Sequence, residues 1–387
     1  MKVCQLCAVK FTAEKFLLQL VESLEERNHE VTLVYGDGQR SGWEFKRGKK
    51  VFLVEIKRNF NILYKIKEIF KLYSFFKKEK FDVVHCHSPI GGLVGRIAAK
   101  LAGVNFIIYT VHGFYFHDRS NKLTYKLHLL LEKFLGLLTD LILTVSREDF
   151  LTAQENKILR SNNIFYIGNG VDSNIFDPYR IQRNNLSSPI LNAKKDGIYF
   201  GMVGRLVKEK GVMEFLESSH KLMQSYPDES FKFIIVGGVL ETERDKSITK
   251  HINQYKRILG DSLILTGFIN NVEDYINCMD VFCLPSYREG LPVSIIEAMM
   301  MNKYIVATNI RGSRELVNNK SLGILVEPKS TQELFDAFRY YVNNRQNIEA
   351  KLNSRAIAIN LYEIKKITKY QIDIIEKIYK ELILNEK

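Results

Sequence analysis

Short apolar runs alternate with amphipathic stretches along the whole chain. Val3–Ala8, Val31–Tyr35, Val51–Ile56, Asp82–Cys86, Phe106–Val111, Leu141–Val145 and Ile164–Ile167 read as strands. Between them, Leu17–Arg27, Ile62–Lys78, Leu93–Leu101 and Leu123–Leu137 carry apolar residues at helical spacing. Strands that alternate with helices predict a parallel sheet covered on both faces. The stretch 177–197, "DPYRIQRNNLSSPILNAKKDG", is polar and without period, and reads as a linker. Alternation then resumes with Ile198–Val203, Phe231–Val236, Leu263–Thr266, Val281–Leu284, Ile305–Thr308 and Gly323–Val326. From Thr331 onward the pattern is helical almost to the end. The expected architecture is α/β, with two doubly wound Rossmann-like domains facing one another across a cleft. Their boundaries read 1–176 and 198–360, and a helix in 361–387 crosses back to the first domain.

Composition narrows the class. At 387 residues the chain exceeds one ordinary domain, and 46% hydrophobic with 26% charged residues suits a globular protein. The most apolar stretch, Leu127–Val145, is interrupted by His128, Glu132, Lys133 and Asp140, so no transmembrane helix is expected. "MKVCQLCAVKF" reads straight into a strand without a signal-peptide pattern. Five cysteines make no disulfide framework. Cys4 and Cys7, three apart on a strand, point to opposite faces and cannot share a metal or a disulfide. The net charge of +12 is uneven: residues 1–170 hold 26 Lys and Arg against 17 Asp and Glu. Nucleic acid, an anionic membrane surface or an anionic ligand each fits such an excess.

Three loops carry candidate chemistry. "YFGMVGRLVKEKGV" (199–212) is a strand followed by Gly204, Arg205 and Lys210-Gly211, with a helix beginning there. An arginine fork, a lysine and a helix N-terminus together suit a pyrophosphate. The strand "VFCLPS" (281–286) leads into "YREGLP", then a helix expected from near Pro292 to Met301. Glu289 sits at the strand's carboxyl end. Glu297, at the edge of the face formed by Val293, Ile296 and Met300, lies about 7–8 Å along the axis from Pro292. The turn after the first strand, "CAVKFTAEKF", has no glycine, which argues against a dinucleotide oxidoreductase. "GGLVG" (91–95) suits close helix–sheet packing as well as a ligand. His85 and His87 share a strand face, with no third metal ligand in view, and read as structural or at most part of a ligand cleft.

Glu289 and Glu297, with Gly290-Leu291-Pro292 after the first, resemble the double-glutamate motif of family-4 glycosyltransferases. "GRLVKEKGV" is similar to that family's arginine–lysine phosphate motif, and "NGVD" (169–172) to its usual end of the first domain. The resemblance implies the GT-B fold and retention of anomeric configuration. It implies that Arg205 and Lys210 neutralise a donor diphosphate and that Glu297 binds ribose hydroxyls. Glu289 and the amides of Gly290 and Leu291 would hold the transferred sugar, beside Gly204. Phe268 and Ile269 of "TGFI" (266–269) would hold the base, and His112 of "TVHGF" would face the sugar. No metal and no cofactor is expected. The glycine-rich turn that many relatives carry after the first strand is replaced here by Val9-Lys10-Phe11-Thr12.

The function expected is transfer of a hexose or N-acetylhexosamine from a nucleotide sugar, UDP-linked, to a lipid-linked saccharide or glycan acceptor. "DVVHCHSPIGGLVGRIAAKLAGV" resembles bacterial enzymes of capsule, exopolysaccharide or O-antigen synthesis. A cytoplasmic protein, peripheral at the inner face of the cell membrane, follows. Its basic aromatic segment 57–80 would meet the lipid, with Ile62, Ile66, Ile69, Tyr73 and Phe76 toward the core. Phe60, Tyr64, Phe70 and Phe75 would be left for the surface. The alternatives are a nucleotide-sugar epimerase or hydrolase, or a nucleic-acid-binding protein, for which no motif is present.

Overall fold

The computed structural model of the protein describes residues 1–36, 42–46, 48–57, 62–181, 197–239 and 247–384. Phe60 and most of the expected linker lie outside them. The chain forms two units. Met1–Asn169 and Lys365–Lys387 make the first, and Gly170–Ile364 makes the second. The division therefore falls inside "NGVD", not at 176, and the return begins at Lys365, not at 361. Backbone pairing explains both shifts. The Val171 N–H donates to Tyr362 and the Ile364 N–H donates to Val171, which ties the two crossing points together within the second unit.

The first unit is an eight-stranded sheet in the order β3-β4-β2-β1-β5-β6-β7-β8. The strands are β1 (Lys2–Leu6), β2 (Glu30–Tyr35), β3 (Gly42–Lys46), β4 (Lys49–Leu53), β5 (Val83–His87), β6 (Phe106–Val111), β7 (Leu141–Thr144) and β8 (Ile164–Tyr166). All neighbours pair in parallel except β3 and β4, an antiparallel hairpin closed at Lys46↔Lys49. The apolar pattern did not disclose β3. Gly48 in the turn has φ +73°, a conformation that glycine adopts without strain.

Period-two alternation sends Cys4, Leu6, Val84, Cys86, Ile107 and Tyr109 to one face and Val3, Cys7, Val83, Phe106 and Ile108 to the other. Cys4 and Cys7 thus face opposite layers, and all five cysteines are free. The first layer holds α2 (Ile62–Glu79), α3 (Pro89–Ala102) and α4 (Lys122–Gly136). Here the glycines of "GGLVG" serve packing. A Cβ on Gly92 would lie 2.5 Å from the Tyr109 ring, and one on Gly95 2.4 Å from Leu6. Buried Arg96 of α3 lies over the Tyr109 ring at 3.8 Å and pairs with Glu132 of α4 at 2.9 Å. The opposite layer holds α1 (Leu18–Glu26) and the returning C-terminal helix, whose Ile372, Ile374, Ile375 and Ile378 join the core. Arg27 binds Asp373 at 2.8 Å and Glu376 at 2.9 Å across that contact.

Two expectations for α2 are corrected. Ile66 is exposed, not core-facing, and Phe75 is buried, not left for the surface. The inward face carries Lys65 and Glu68 as a buried ion pair at 2.7 Å, above Leu72, Phe75 and Phe76. A charged pair that satisfies itself is tolerated inside, and it turns the helix away from the face its apolar residues alone suggest.

The second unit is a six-stranded parallel sheet in the order β11-β10-β9-β12-β13-β14. Its strands are β9 (Ile198–Val203), β10 (Phe231–Val236), β11 (Leu263–Gly267), β12 (Val281–Leu284), β13 (Tyr304–Thr308) and β14 (Gly323–Val326). Phe200, Phe215, Phe233, Phe338 and Tyr341 fill one layer. Chain order reverses direction between β9 and β12. Ligands of such sheets bind beyond the carboxyl ends of the strands at this switch point.

Because Ile375 is buried in the core on this face of the first sheet, Ile375→Ala should destabilise the first unit by about 2–5 kcal/mol. Urea unfolding followed by circular dichroism measures this. The second unit's transition should stay in place.

Candidate active site

Two loops meet at the switch point of the second unit. The first leaves β9. Gly204 donates its N–H to Val236, and the Leu206 N–H reaches Gly238 just beyond β10. A Cβ on Gly237 would sit 1.9 Å from the Gly204 carbonyl oxygen, so these backbones touch. After Arg205, a tight turn over Lys208–Lys210 ends at Gly211, with φ +69°, where the helix Val212–Ser225 begins.

The second loop leaves β12. A Cβ on Gly211 would fall 2.1 Å from the Pro285 carbonyl oxygen, and the Tyr287 N–H donates to Glu209 at 2.8 Å. The Tyr287 hydroxyl donates to Glu214 at 2.5 Å, and burial with that carboxylate pushes the phenol's pKa up. With both backbones locked, Lys210 Nζ and Glu289 Oε1 stand 2.5 Å apart, both only slightly exposed. A third segment closes on the second: a Cβ on Gly312 would lie 1.6 Å from the Gly290 carbonyl oxygen.

The helix after this loop spans Val293–Met300. Pro292 is its N-cap, extended at φ −71° and ψ 110°, and not its first helical residue. Leu291 and Glu297 are buried, so Glu297 lies inside the packed face, not at its edge. Glu273 lies near it. Burial raises the Glu273 pKa, and the charges of Asp274 and Glu297 add to the rise. At the carboxyl end of β11, Phe268 is exposed with its ring against Gly238, and Ile269 is half-buried.

The structure thus gathers Gly204, Lys210, Glu289, Gly290 and Leu291, with Arg205 in the same turn. Glu297 stands on the helix that follows this loop, and Phe268 and Ile269 lie just beyond β11 of the same unit. His112 belongs to the first unit, just beyond β6, with its Nε2 3.3 Å from His87 Nδ1. Among the described residues, no three His, Cys, Asp or Glu side chains form a metal-holding group. Sequence reading missed Tyr287, Glu214, Gly237 and Gly312. The signals available were "VGG" after β10 and "RGS" after β13.

Comparison with known proteins decides the family. The model "Glycosyl transferases group 1" matches residues 184–358 and "Glycosyltransferase Family 4" matches 13–174. A UDP-Gal:alpha-D-GlcNAc-diphosphoundecaprenol alpha-1,3-galactosyltransferase of Escherichia coli is 30% identical, over 99% of this chain and 97% of that protein. The chain belongs to the family-4 glycosyltransferases. This glycosyltransferase is also 26% identical to the capsular polysaccharide biosynthesis glycosyltransferase CapM of Staphylococcus aureus, over 87% of this chain and 90% of that one. Its fold is shared by Anabaena HepE, solved in complex with UDP-glucose, at a TM-score of 0.75 and 18% identity, over 98% and 100% of the two chains. The transferase has the GT-B architecture of two Rossmann-like sheets.

The glycine contacts generate a test. Gly312→Ala should displace the Gly290 loop and lower turnover at least tenfold, about 1.4 kcal/mol or more in the barrier. Gly260→Ala is the control, since Gly260 shares the positive φ of Gly312 but a Cβ there meets nothing within 4 Å. A kinetic assay of the two variants, with circular dichroism to confirm folding, measures the difference.

Proposed function

We propose that this glycosyltransferase moves a hexose or N-acetylhexosamine from a UDP-linked donor to a lipid-linked saccharide, with retention at the anomeric carbon. The observation that carries the reading is the Lys210–Glu289 pair at the switch point, beside the N-terminus of Val212–Ser225. In this reading Arg205, Lys210 and the helix end receive the diphosphate. Lys210 exchanges its carboxylate partner for phosphate, and Glu289 is released to accept a sugar hydroxyl beside the Gly290 and Leu291 amides. Glu297 takes the ribose hydroxyls, Phe268 and Ile269 the base, and His112 the sugar. No metal or cofactor enters the proposal.

The acceptor oxygen attacks the anomeric carbon on the face from which the diphosphate departs. The bond to the phosphate oxygen breaks, its electron pair stays on that oxygen, and the acceptor's proton follows it there. Stabilising the growing phosphate charge is then the main catalytic work of the protein. The names of the relatives support a lipid-linked acceptor, since the Escherichia coli enzyme acts on a diphosphoundecaprenol-linked sugar.

The roles of the glutamates separate in a binding experiment. Arg205→Ala and Lys210→Ala should each weaken UDP binding and lower turnover tens- to a thousand-fold, about 2–4 kcal/mol. Glu297→Gln should weaken UDP binding. Glu289→Gln should lose turnover but hold UDP at least as tightly as the native enzyme, because it removes the charge that competes for Lys210. Calorimetric titration with UDP measures all four, and weaker UDP binding in Glu289→Gln sinks the partner exchange. Transfer assays over a panel of nucleotide sugars, with the product's anomeric configuration read by NMR, test donor and stereochemistry.

The first unit offers a surface suited to an anionic bilayer. On α4, Leu123, Leu127, Leu130 and Phe134, with Leu137 just beyond, are exposed at helical spacing among exposed Lys122, Lys126 and Lys133. Its acid Glu132 is turned inward to Arg96. On α2, Leu63, Ile66 and Phe70 are exposed among Lys67 and Lys71. Both helices cover the same sheet face. Apolar and basic side chains without an exposed acid suit in-plane docking on anionic lipid. No helix among the described residues is long and apolar enough to cross a membrane. We expect sedimentation with anionic vesicles but not neutral ones. A Leu127→Ser, Leu130→Ser, Phe134→Ser variant should bind at least tenfold more weakly with UDP affinity unchanged. Self-association through this face, seen by analytical ultracentrifugation without vesicle binding, would overturn the lipid assignment.

A further inference from the structure

The middle of the first unit's sheet holds a polar line where an apolar layer would pack more cheaply. Alternation places Gln5 of β1, His85 and His87 of β5, and Thr110 of β6 on the face that also carries Val3, Val83 and Ile108. All four are at most 1% exposed. Buried polar groups cost free energy unless hydrogen-bonded. Here the bonds run in one direction. Gln5 Oε1 lies 2.8 Å from His87 Nε2, and His87 Nδ1 lies 3.3 Å from His112 Nε2. His85 Nε2 binds Thr110 Oγ1 at 2.7 Å, and its ring lies 4.1 Å from that of His87. Among the described residues the Gln5 amide nitrogen has no partner, and His87 is the residue that holds the amide there.

Three crowded imidazoles cannot carry charge. Burial lowers the His112 pKa to about 4. Burial, and then the charge of His112, lowers that of His85 to about 3. Burial and both neighbours lower that of His87. Each ring is therefore neutral near pH 7, with one protonated and one bare nitrogen. An amide oxygen only accepts, so His87 Nε2 carries the hydrogen and His87 Nδ1 is bare. His112 Nε2 must then donate to it, and His112 Nδ1 is bare in turn.

We propose that Gln5 and His87 are positioning residues that hold His112 as its neutral Nε2–H tautomer, so that His112 Nδ1 accepts a hydroxyl hydrogen from the bound sugar. The proposal rests on the reading that His112 meets that sugar, and it sharpens it. A bare lone pair attracts a hydroxyl and repels a diphosphate oxygen, so His112 serves the sugar and not the leaving group.

The test uses the full chain labelled with 15N-histidine. Long-range 1H–15N spectra at pH 7 should show His112, assigned by loss of its signals in His112→Ala, with hydrogen on Nε2 and a bare Nδ1. Gln5→Leu should mix the His112 tautomers and lower kcat about ten- to a hundred-fold, leaving UDP affinity within about twofold. His87→Asn, which keeps an acceptor near the Nδ1 position, should retain more activity than His87→Leu. A hydrogen on His112 Nδ1 in the native protein, or an unchanged His112 tautomer in Gln5→Leu, overturns the proposal. Full turnover in His112→Ala would overturn the sugar contact while the spectra still report the tautomer, so the two failures are distinguishable.

Discussion

The close approach of backbones at the carboxyl end of the second sheet is the constraint on which the site depends. Gly211 against Pro285, Gly237 against Gly204 and Gly312 against Gly290 leave no room for a Cβ. At Gly211 and Gly312 the chain also adopts a positive φ that other residues enter only with strain. These contacts remove the slack from four loops, which follow β9, β10, β12 and β13. An ammonium and a carboxylate 79 residues apart are then held in a charge-assisted bond. Neither side chain would be placed so closely by its own flexible stem. The order lies in the backbone, and the side chains inherit it.

The first unit spends its buried polar groups differently. Arg96 and Glu132 neutralise one another within the helical layer, and Lys65 and Glu68 do so inside α2. Such pairs contribute little net stability, because desolvation offsets much of their attraction. The Gln5–His87–His112 line is of another kind. It contains no opposite charges and ends on a largely buried ring just beyond a strand, where a ligand-bearing loop would be expected in a doubly wound sheet. Both units therefore place their unusual polar chemistry at the carboxyl ends of their central strands.

Much of this was legible in the chain. Ile198–Val203, Phe231–Val236, Val281–Leu284 and Gly323–Val326 are strands at the bounds their apolar runs predict. Gly204, Arg205, Lys210 and Glu289 stood out because strand-to-helix turns with glycine and charge are rare and local. The hairpin strand β3 did not stand out, since its sequence, GWEFK, carries no continuous apolar run. On α2 the apolar stripe pointed the wrong way. Lys65 and Glu68 satisfy one another inside, and the Lys65 ammonium also donates to the Lys57 carbonyl. No count of apolar residues anticipates a charge that finds its partner on the inward face.

Alternation and helical period are properties of neighbouring residues, so the sequence alone determined the α/β class, the two sheets and the loops that end their strands. It also determined the separation of Cys4 and Cys7, because side-chain direction along a strand has period two. Partners across the sheet are set by strand order, which no local pattern encodes. That Lys210 meets Glu289, that Gly312 supports Gly290, and that Gln5 stands behind His87 and His112 was decided only when β9 paired with β12, β12 with β13, β1 with β5 and β5 with β6. The physical reason is that periodicity orients a side chain toward a layer, whereas pairing chooses which distant residues share it.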